Sequence, residues 1–339
     1  MNGPGHLMAA EVAEIPAVIE RQLRENFDAY LSLGQKWAKA PPLFFATCAR
    51  GTSDQAALFF KYLTEIGTGI PVASLGPSLG SVFDGSLRMN GAALLAISQS
   101  GASPDIVALT RKAASGGAET VALLNTIRSP LADVAGQVLP LSAGPEQAVA
   151  ATKSFVASLV AVTAIHAGQT EDMLLQQELL ALPQALKTQM AGPRQDLRGI
   201  AGKRRLFCLG RGLGLAIAGE AALKFKETCL LAAEGASTAE FRHGPLALAD
   251  SDTAALVFVL DDVTRAGTEA LVETLRQRGT TVVTLGGLAA NQIGAGLVHP
   301  ATQAIAAITA FYGEVQSLAV SLGLDPDVPP HLLKATLTE

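Results

Sequence analysis

The sequence has little charge and little cysteine. Of its 339 residues, 16% are charged and 49% are hydrophobic, and the formal net charge is -5. Because no basic excess is present to attract nucleic acid or an anionic membrane, an anionic ligand has to be held by local groups. A chain of this length and composition predicts a globular protein with a large core, long enough for two domains.

The three cysteines, Cys48, Cys208 and Cys229, have neither the spacing of a zinc site nor that of a disulfide framework. Cys48 and Cys208 each lie in an apolar run typical of a strand. This pattern predicts buried free thiols, which suit a reducing cytosol.

Targeting and membrane segments are not evident in the sequence. The first sixteen residues lack the basic stretch and apolar core of a signal peptide. The most apolar helix candidate, at 152–167, is short for a membrane span and carries Lys153 and His166. We interpret it as a buried or interface helix, and we expect a cytoplasmic protein that binds neither membrane nor nucleic acid.

The chain contains an internal repeat. One apolar run ends in Arg50-Gly51, and another ends in Arg211-Gly212, 161 positions later. The apolar segment 119–124 recurs at 280–285 with the same offset. Two landmarks far apart in the chain that share one offset indicate two copies of one folding unit.

Within each copy, short apolar strands alternate with helices. This alternation predicts a parallel sheet covered by helices on both faces. We therefore predict an α/β protein with two tandem, doubly wound, flavodoxin-like domains of three αβα layers. The predicted parts are a helical lead at 1–34, the first domain at 35–170, a linking helix at 171–194, the second domain at 195–325 and a proline-rich tail at 326–339.

Two hydroxyl-rich turns follow predicted strands, at the edge of the sheet where ligands bind in such folds. Gly51-Thr52-Ser53 opens a helix and is either an N-cap or part of an anion site. Ser98-Gln99-Ser100-Gly101 is followed by Ser103 and by Pro104, which suits the first position of a helix. Free N–H groups and the helix dipole favour an anion there, so this turn is a candidate phosphate site. A turn without a ligand is the alternative.

The second copy of the repeat lacks these serines. Where the first copy has the hydroxyl-rich turn, the second has Val259-Leu260-Asp261-Asp262. Carboxylates would repel a phosphate. Since the fold repeats and the serines do not, a purely architectural role for the serines is disfavoured.

The candidate acid–base groups lie later in the chain. Lys224 and Glu227, three residues apart on one helix face, form either a surface ion pair or a base with a charged neighbour in a cleft. His243 precedes Gly244-Pro245 and is predicted to lie in a turn, as an exposed side chain or as a group that transfers protons. Lys334 lies in the tail, where a solvated lysine is the ordinary expectation. No metal-ligand cluster is visible in the sequence, and no cofactor is predicted.

Taken together, these motifs resemble the sugar isomerase (SIS) superfamily over almost the whole chain. The resemblance is to the isomerase half of glutamine:fructose-6-phosphate amidotransferase and to the stand-alone SIS-type glucosamine-6-phosphate deaminases. The motifs come in the family's order and spacing: Gly51-Thr52-Ser53, Ser98-Gln99-Ser100-Gly101, Ala151-Thr152-Lys153, Ala222-Leu223-Lys224-Phe225-Lys226-Glu227, Arg242-His243-Gly244-Pro245-Leu246-Ala247 and Lys334.

The resemblance implies roles for the candidate residues. Glu227, with Lys224 beside it, would move a proton between C1 and C2 of the open-chain sugar. His243 would reach in from the second subunit of a homodimer and open the ring, and Lys334 would meet the anomeric end from the tail. The residues implied to surround the phosphate and the pocket are Ser98, Gln99, Ser100, Ser103, Thr52, Ser53, Gly51 and the backbone of Val149.

Two departures from the family pattern concern the amino-group end of the substrate. The tail reads Asp327-Val328-Pro329-Pro330, without the arginine of the family's Asp-x-Pro-Arg, and Ala151 replaces a serine. The first cysteine, Cys48, lies in a strand rather than at the start of a glutaminase domain, so this chain is not expected to take nitrogen from glutamine.

We therefore predict an enzyme that converts glucosamine 6-phosphate and water to fructose 6-phosphate and ammonia. The open alternatives are a phosphosugar aldose–ketose isomerase, an aminotransferase supplied with ammonia by a partner, and a non-catalytic phosphosugar sensor.

Overall fold

The computed structural model describes residues 3–83, 85–286 and 296–334. The strands of this part of the chain are β1 (Phe44–Cys48), β2 (Val72–Ser74), β3 (Ala92–Ser98), β4 (Glu119–Leu124), β5 (Gln137–Pro140), β6 (Arg205–Gly210), β7 (Ala233–Ser237), β8 (Thr253–Val259) and β9 (Thr281–Gly286). Its helices are α1 (His6–Ala13), α2 (Ile15–Lys39), α3 (Thr52–Thr68), α4 (Ser78–Ser81), α5 (Pro104–Ser115), α6 (Lys153–Gln169), α7 (Met173–Met190), α8 (Leu213–Cys229), α9 (Arg265–Gln277) and α10 (Pro300–Ser321).

The described residues pack as two compact units. The amino-terminal unit takes 17–146, 153–180 and 333–334, and the carboxy-terminal unit takes 3–16, 147–152 and the described part of 181–332. These units follow spatial contacts, whereas the domain limits predicted from the sequence follow the continuity of the chain and stay a prediction.

The amino-terminal unit contains a five-stranded parallel sheet in the order β2-β1-β3-β4-β5. Every residue of β3 is buried, as expected for a strand covered by helices on both faces. Cys48 at the end of β1 lies opposite Ala96 of β3. The turns that follow these two strands therefore lie at the same edge of the sheet.

The carboxy-terminal unit contains a four-stranded parallel sheet in the order β7-β6-β8-β9. Every residue of β8 is buried. Phe207 of β6 packs against Phe241 with ring centroids 4.9 Å apart in an edge-to-face contact, which anchors the segment that carries His243.

Several strands and helices of the two units correspond residue by residue. β3 and β8 begin and end 161 positions apart, and so do α3 and α8. The glycines before the two helices have nearly the same backbone, with φ 54° and ψ -129° at Gly51 and φ 56° and ψ -126° at Gly212. The predicted α/β class and doubly wound repeat are confirmed.

Three strands were not predicted from the sequence. β2, β5 and β7 are short strands at the sheet edges, and each pairs with only one other described strand. β2 and β7 each have only one buried residue, so they lack the apolar run that marks a central strand.

All three cysteines are free and buried, as predicted for Cys48 and Cys208. Burial raises the pKa of Cys48 to about 12 and that of Cys229 to about 11, and it also raises the pKa of Cys208. The thiols therefore stay protonated near neutral pH, and none is an activated nucleophile.

Two long apolar helices belong to the interior. All residues of α6 are buried, which agrees with the interpretation of 152–167 as a buried helix. By length and composition alone, α10 could also cross a membrane, but 67% of its most apolar window is buried inside the protein. Such burial is typical of a core helix.

Candidate functional site

The serine turn, Ser98–Ser103, connects β3 to α5 in the amino-terminal unit. The Oγ of Ser98 accepts a hydrogen bond from the N–H of Gly101 at 3.0 Å, and the Oγ of Ser100 accepts one from the N–H of Ala102 at 3.3 Å. Gly101 has φ +63°, a left-handed conformation that favours glycine. The turn is thus shaped by its own hydroxyls.

The loop after β4 supports the serine turn from one side. The N–H of Thr126 donates to the carbonyl of Gln99, and the N–H of Leu131 donates to the carbonyl of Gly101, both at 3.0 Å. The Oγ of Ser129 is buried close to Gly101, since a Cβ added to that glycine would lie 2.2 Å from it. A turn held by its neighbours in this way needs little reorganisation to bind an anion.

The predicted phosphate ligands of the turn differ in access. Ser98 is buried, whereas Gln99, Ser100 and Ser103 are partly exposed. Ser103 lies at the N-cap position of α5, but its hydroxyl makes no capping hydrogen bond. The Ser103 hydroxyl is therefore available to a ligand at a helix N-terminus, where anions bind favourably.

The second hydroxyl-rich turn lies beside the first. Gly51 precedes α3, and Thr52 and Ser53 open that helix with partly exposed side chains. The guanidinium of Arg50 forms a hydrogen bond and an ion pair with the carboxylate of Asp105 in the first turn of α5. This contact joins the start of α3 to the start of α5, so both predicted phosphate turns belong to one place in the unit.

In the carboxy-terminal unit, a group of four side chains, which we call the Lys224 cluster, lies on α8 and α10. Its members are Glu220, Lys224, Glu227 and Tyr312. The ammonium of Lys224 hydrogen-bonds to Oε2 of Glu227 and lies 3.5 Å from Oε1 of Glu220, and the Tyr312 hydroxyl donates to that same oxygen at 2.8 Å. The side chains of Lys224 and Glu220 are 0% exposed, and that of Glu227 is 20% exposed.

The repeat shows that two of these charges, Lys224 and Glu220, occupy positions of a hydrophobic core. With the 161-residue offset between α3 and α8, Lys224 corresponds to Leu63, which is 3% exposed. Glu220 corresponds to the buried Phe59. Buried ions need partners and add little to stability, so charges at such positions point to a functional role.

Burial rules out the interpretation of Lys224 as part of a surface ion pair. The sequence analysis singled out Lys224 and Glu227 but missed two members of the cluster. Glu220 lies four residues before Lys224, a spacing that could have been noticed. Tyr312 is 88 residues beyond Lys224, and no local pattern identifies it.

His243 ends a short 3-10 turn, Glu240–His243, and is exposed. Phe241 is fully buried and holds this turn against the sheet. Within the described residues, the imidazole makes no hydrogen bond or ion pair with the rest of the chain, and it is open to a ligand or to another subunit.

Lys334 is held in the amino-terminal unit by an ion pair, not free in solvent. Its Nζ lies 3.2 Å from Oε2 of Glu146, with side-chain exposures of 27% for Lys334 and 0% for Glu146. Glu146 also accepts hydrogen bonds from the N–H and the Oγ of Ser154, at 3.1 and 2.7 Å. The lysine therefore has a defined position near a fixed carboxylate.

The tail before Lys334 is fixed by its aspartates in the carboxy-terminal unit. The carboxylate of Asp327 accepts hydrogen bonds from the N–H groups of Leu7 and Met8 at 2.9 and 2.8 Å, at the start of α1. The carbonyl of Asp327 accepts one from the N–H of Val149 at 3.2 Å. The amide of Val149 is thus engaged by the tail, which leaves its carbonyl or side chain to line a pocket.

Metal clusters and cavities are the other kinds of site that such a fold can hold. No group of three or more His, Cys, Asp or Glu side chains in the described part of the chain is arranged to bind a metal ion. A cavity of about 640 Å³ in the carboxy-terminal unit is lined by residues that include Arg194 and Glu314. None of the predicted site residues lines it.

Comparison with known proteins gives a family and several relatives. Residues 45–167 and 199–313 match the SIS domain family. The chain is 30% identical over 353 residues to "Glutamine--fructose-6-phosphate aminotransferase [isomerizing]" of Methanothermobacter thermautotrophicus. This alignment covers the whole of this chain and 58% of the relative, so the chain spans less than two thirds of that curated protein.

Solved structures share the fold along almost their whole length. A crystal structure from Silicibacter pomeroyi, provisionally described as a phosphosugar isomerase, is 40% identical with a TM-score of 0.87, and the match covers 95% of this chain and 99% of that one. A glucosamine-6-phosphate deaminase from Thermotoga maritima is 19% identical with a TM-score of 0.80, over 98% of this chain and 100% of that one. The second likeness concerns the fold alone.

Proposed function

This chain belongs to the SIS domain family, and on that premise we propose that it is an amino-sugar-phosphate enzyme. In this proposal it converts glucosamine 6-phosphate and water to fructose 6-phosphate and ammonia. It works as a cytoplasmic homodimer and needs no cofactor.

The Lys224 cluster is the observation that carries the proposal. Interconversion of an aldose and a ketose, or of their imines, requires a base that removes a proton from the carbon next to the carbonyl or imine. Glu227 is a partly exposed carboxylate whose position is fixed by a buried ammonium. One carboxylate can take the proton from C2 and return it to C1 of the same intermediate, and we assign that transfer to Glu227.

The serine turn supports a substrate that carries a phosphate. Gln99, Ser100 and Ser103 offer neutral donors at the start of α5, Ser98 shapes the turn, and Thr52 and Ser53 lie at the neighbouring helix start. A phosphate is remote from the reacting carbons of a hexose 6-phosphate. Its binding energy can therefore offset the entropic cost of positioning the sugar.

The remaining roles are assigned to His243 and Lys334. His243 is an exposed group that can donate and accept a proton near neutral pH, and we assign it ring opening in the partner subunit of the dimer. We assign the Lys334 ammonium a place near the anomeric end of the sugar, C1, next to C2, from which hydrolysis of the imine releases the nitrogen as ammonia.

A second candidate is the reaction in the opposite direction, the amination of fructose 6-phosphate. The names of the curated relatives, which are aminotransferases, favour it. Ammonia would then have to come from a source other than these 339 residues.

One assay separates these functions. Purified protein is incubated with glucosamine 6-phosphate, and ammonia and fructose 6-phosphate are measured; we expect both in equal amounts. Fructose 6-phosphate with ammonium, and fructose 6-phosphate alone, serve as parallel substrates. Absence of ammonia at every protein concentration would reject the deaminase, and interconversion of glucose and fructose 6-phosphates alone would indicate a simple isomerase. Binding without turnover would indicate a sensor.

A further inference from the structure

The serine turn lies next to an unfavourable charge. Its own side chains are neutral, and the first residue after Pro104 is Asp105, whose side chain is 0% exposed. The carboxylate of Asp105 accepts a hydrogen bond from the N–H of Ile106 at 2.8 Å, which fixes it in the first turn of α5. A phosphate dianion bound at this helix start would face a buried carboxylate of the same sign.

Arg50 is the cation that lies at this place. Its Nε donates to Oδ2 of Asp105, while its two terminal nitrogens make no hydrogen bond with the described part of the chain. The side chain is 45% exposed. A guanidinium carries five N–H donors, so one is used by the protein and four remain for a ligand.

The position of Arg50 in the chain places it between the two phosphate turns. It directly precedes Gly51-Thr52-Ser53, and its side chain reaches the first turn of the helix that follows the serine turn. Asp54, in the first turn of α3, also interacts electrostatically with Arg50. The Arg50 guanidinium thus lies near two carboxylates, and without it the formal charges of Asp54 and Asp105 beside the helix starts would both be negative.

The other copy of the repeat has the arginine but not this arrangement. Arg211 occupies the equivalent position, is exposed, and has no side-chain hydrogen bond or ion pair to another described residue. Ala266 stands where the first copy has Asp105. The pairing therefore occurs in the copy that carries the serines, and Arg211 provides an internal control.

We propose that Arg50 is a phosphate-binding residue, whose guanidinium holds the buried Asp105 with one nitrogen and the phosphate group of the substrate with the others. Guanidinium groups bind phosphate oxygens in a bidentate manner and at short distance. The proposal depends on the proposed function only in that the substrate carries a phosphate. It adds the cation that the neutral serine turn lacks.

Binding measurements test this role without relying on turnover. The dissociation constants of fructose 6-phosphate and of inorganic phosphate are measured by calorimetry for the wild type and for Arg50→Met. We expect Arg50→Met to weaken both by about tenfold to a hundredfold, since a hydrogen bond from a charged group to the phosphate is lost and the ion pair with Asp105 is broken. Arg50→Lys should lie between the two, and Arg211→Met should bind like the wild type.

The double variant Arg50→Met/Asp105→Asn separates charge from architecture. It lacks the ion pair, as Arg50→Met does, but it no longer presents a carboxylate to the phosphate. We expect it to bind inorganic phosphate more tightly than Arg50→Met. If Arg50 only ties α3 to α5, the double variant will bind no better than the single one, and the proposal is wrong.

Two further controls separate misfolding, and loss of the deaminase activity, from loss of phosphate binding. If Arg50→Met does not fold, Arg50→Gln keeps an N–H for Asp105 and removes the charge, and it takes the place of Arg50→Met in the comparison. Unchanged binding by a folded Arg50→Met or Arg50→Gln protein overturns the proposal, as does a wild type that binds neither probe. A wild type that binds both probes but releases no ammonia rejects the deaminase activity and leaves the test of Arg50 intact.

Discussion

At the scale of single residues, the most unusual feature is a lysine with no exposed side-chain surface. Lys224 lies where the other copy of the repeat has Leu63, and its ammonium is surrounded by two carboxylates. Its burial follows from the helix position, which faces the interior in both copies. A charge at such a position is tolerated because the ammonium, the two carboxylates and a tyrosine hydroxyl compensate one another.

This cluster predicts a loss of turnover for one substitution and a loss of stability for another. Glu227→Gln should reduce turnover by about a hundredfold to ten-thousandfold, because an amide cannot accept the proton, and should leave phosphosugar binding measurable by calorimetry. Lys224→Met should lower the free energy of unfolding by about 3–5 kcal/mol, because Glu220 stays buried without its counter-ion. Denaturant unfolding of both variants checks the contrast.

The two outcomes are independent of each other. A Glu227→Gln protein that still releases ammonia at the wild-type rate would refute the proton-transfer role. A Lys224→Met protein as stable as the wild type would show that Glu220 is neutral in the fold and that the cluster holds no buried ion pair.

At the scale of elements, the serine turn is defined by how closely its neighbours pack. Gly101 combines φ +63° with the nearby side chain of Ser129. The hydrogen bonds from Thr126 and Leu131 hold the turn against the loop after β4. The shape of the proposed anion site therefore depends on the ends of β3 and β4 together and not on the serines alone.

Gly101→Ala should damage this element more than a matched change elsewhere. The new Cβ would lie 2.2 Å from the Oγ of Ser129 and would also strain the backbone. Gly202, with φ +81°, has no atom within 4 Å of an added Cβ, so Gly202→Ala carries the strain without the contact. We expect Gly101→Ala to cost about 1–3 kcal/mol more in unfolding free energy than Gly202→Ala, and to weaken phosphosugar binding.

Thermal unfolding and calorimetry of the two alanine variants decide this point. Equal stability of both proteins would mean that Ser129 moves aside freely, and normal phosphosugar binding by Gly101→Ala would show that the turn does not need its present shape.

At the scale of the whole molecule, the two copies of the repeat share one fold but carry different polar side chains. β3 and β8, and α3 and α8, keep one offset throughout. The serines occur in one copy and the Lys224 cluster in the other. In the proposed function, the repeat therefore carries the anion site in one copy and the acid–base group in the other.

The proposed homodimer predicts complementation between inactive variants. His243→Ala and Glu227→Gln are each expected to be inactive. If His243 acts in the partner subunit, a mixed dimer contains one site with both residues intact, so refolding an equal mixture should restore about a quarter of the wild-type activity. Ammonia release by the mixture is compared with that of each variant refolded alone.

Continued inactivity in dimers that are shown to be mixed would place His243 and Glu227 in the same subunit's site or remove His243 from catalysis. A wild type that is monomeric at the concentration of the assay would have the same consequence for the shared role.

The sequence by itself determined the repeat, the parallel sheets and the candidate residues, because buried strands and helix starts leave local patterns in composition and spacing. It could not identify β2, β5 and β7, whose short and half-exposed segments lack such a pattern. Tertiary structure alone decided that Lys224 is buried with Glu220 and Tyr312, that Lys334 meets Glu146, and that Arg50 reaches Asp105. Most of these contacts join residues that are far apart along the chain, and the burial of Lys224 depends on how the helices pack. No single stretch of sequence contains that information.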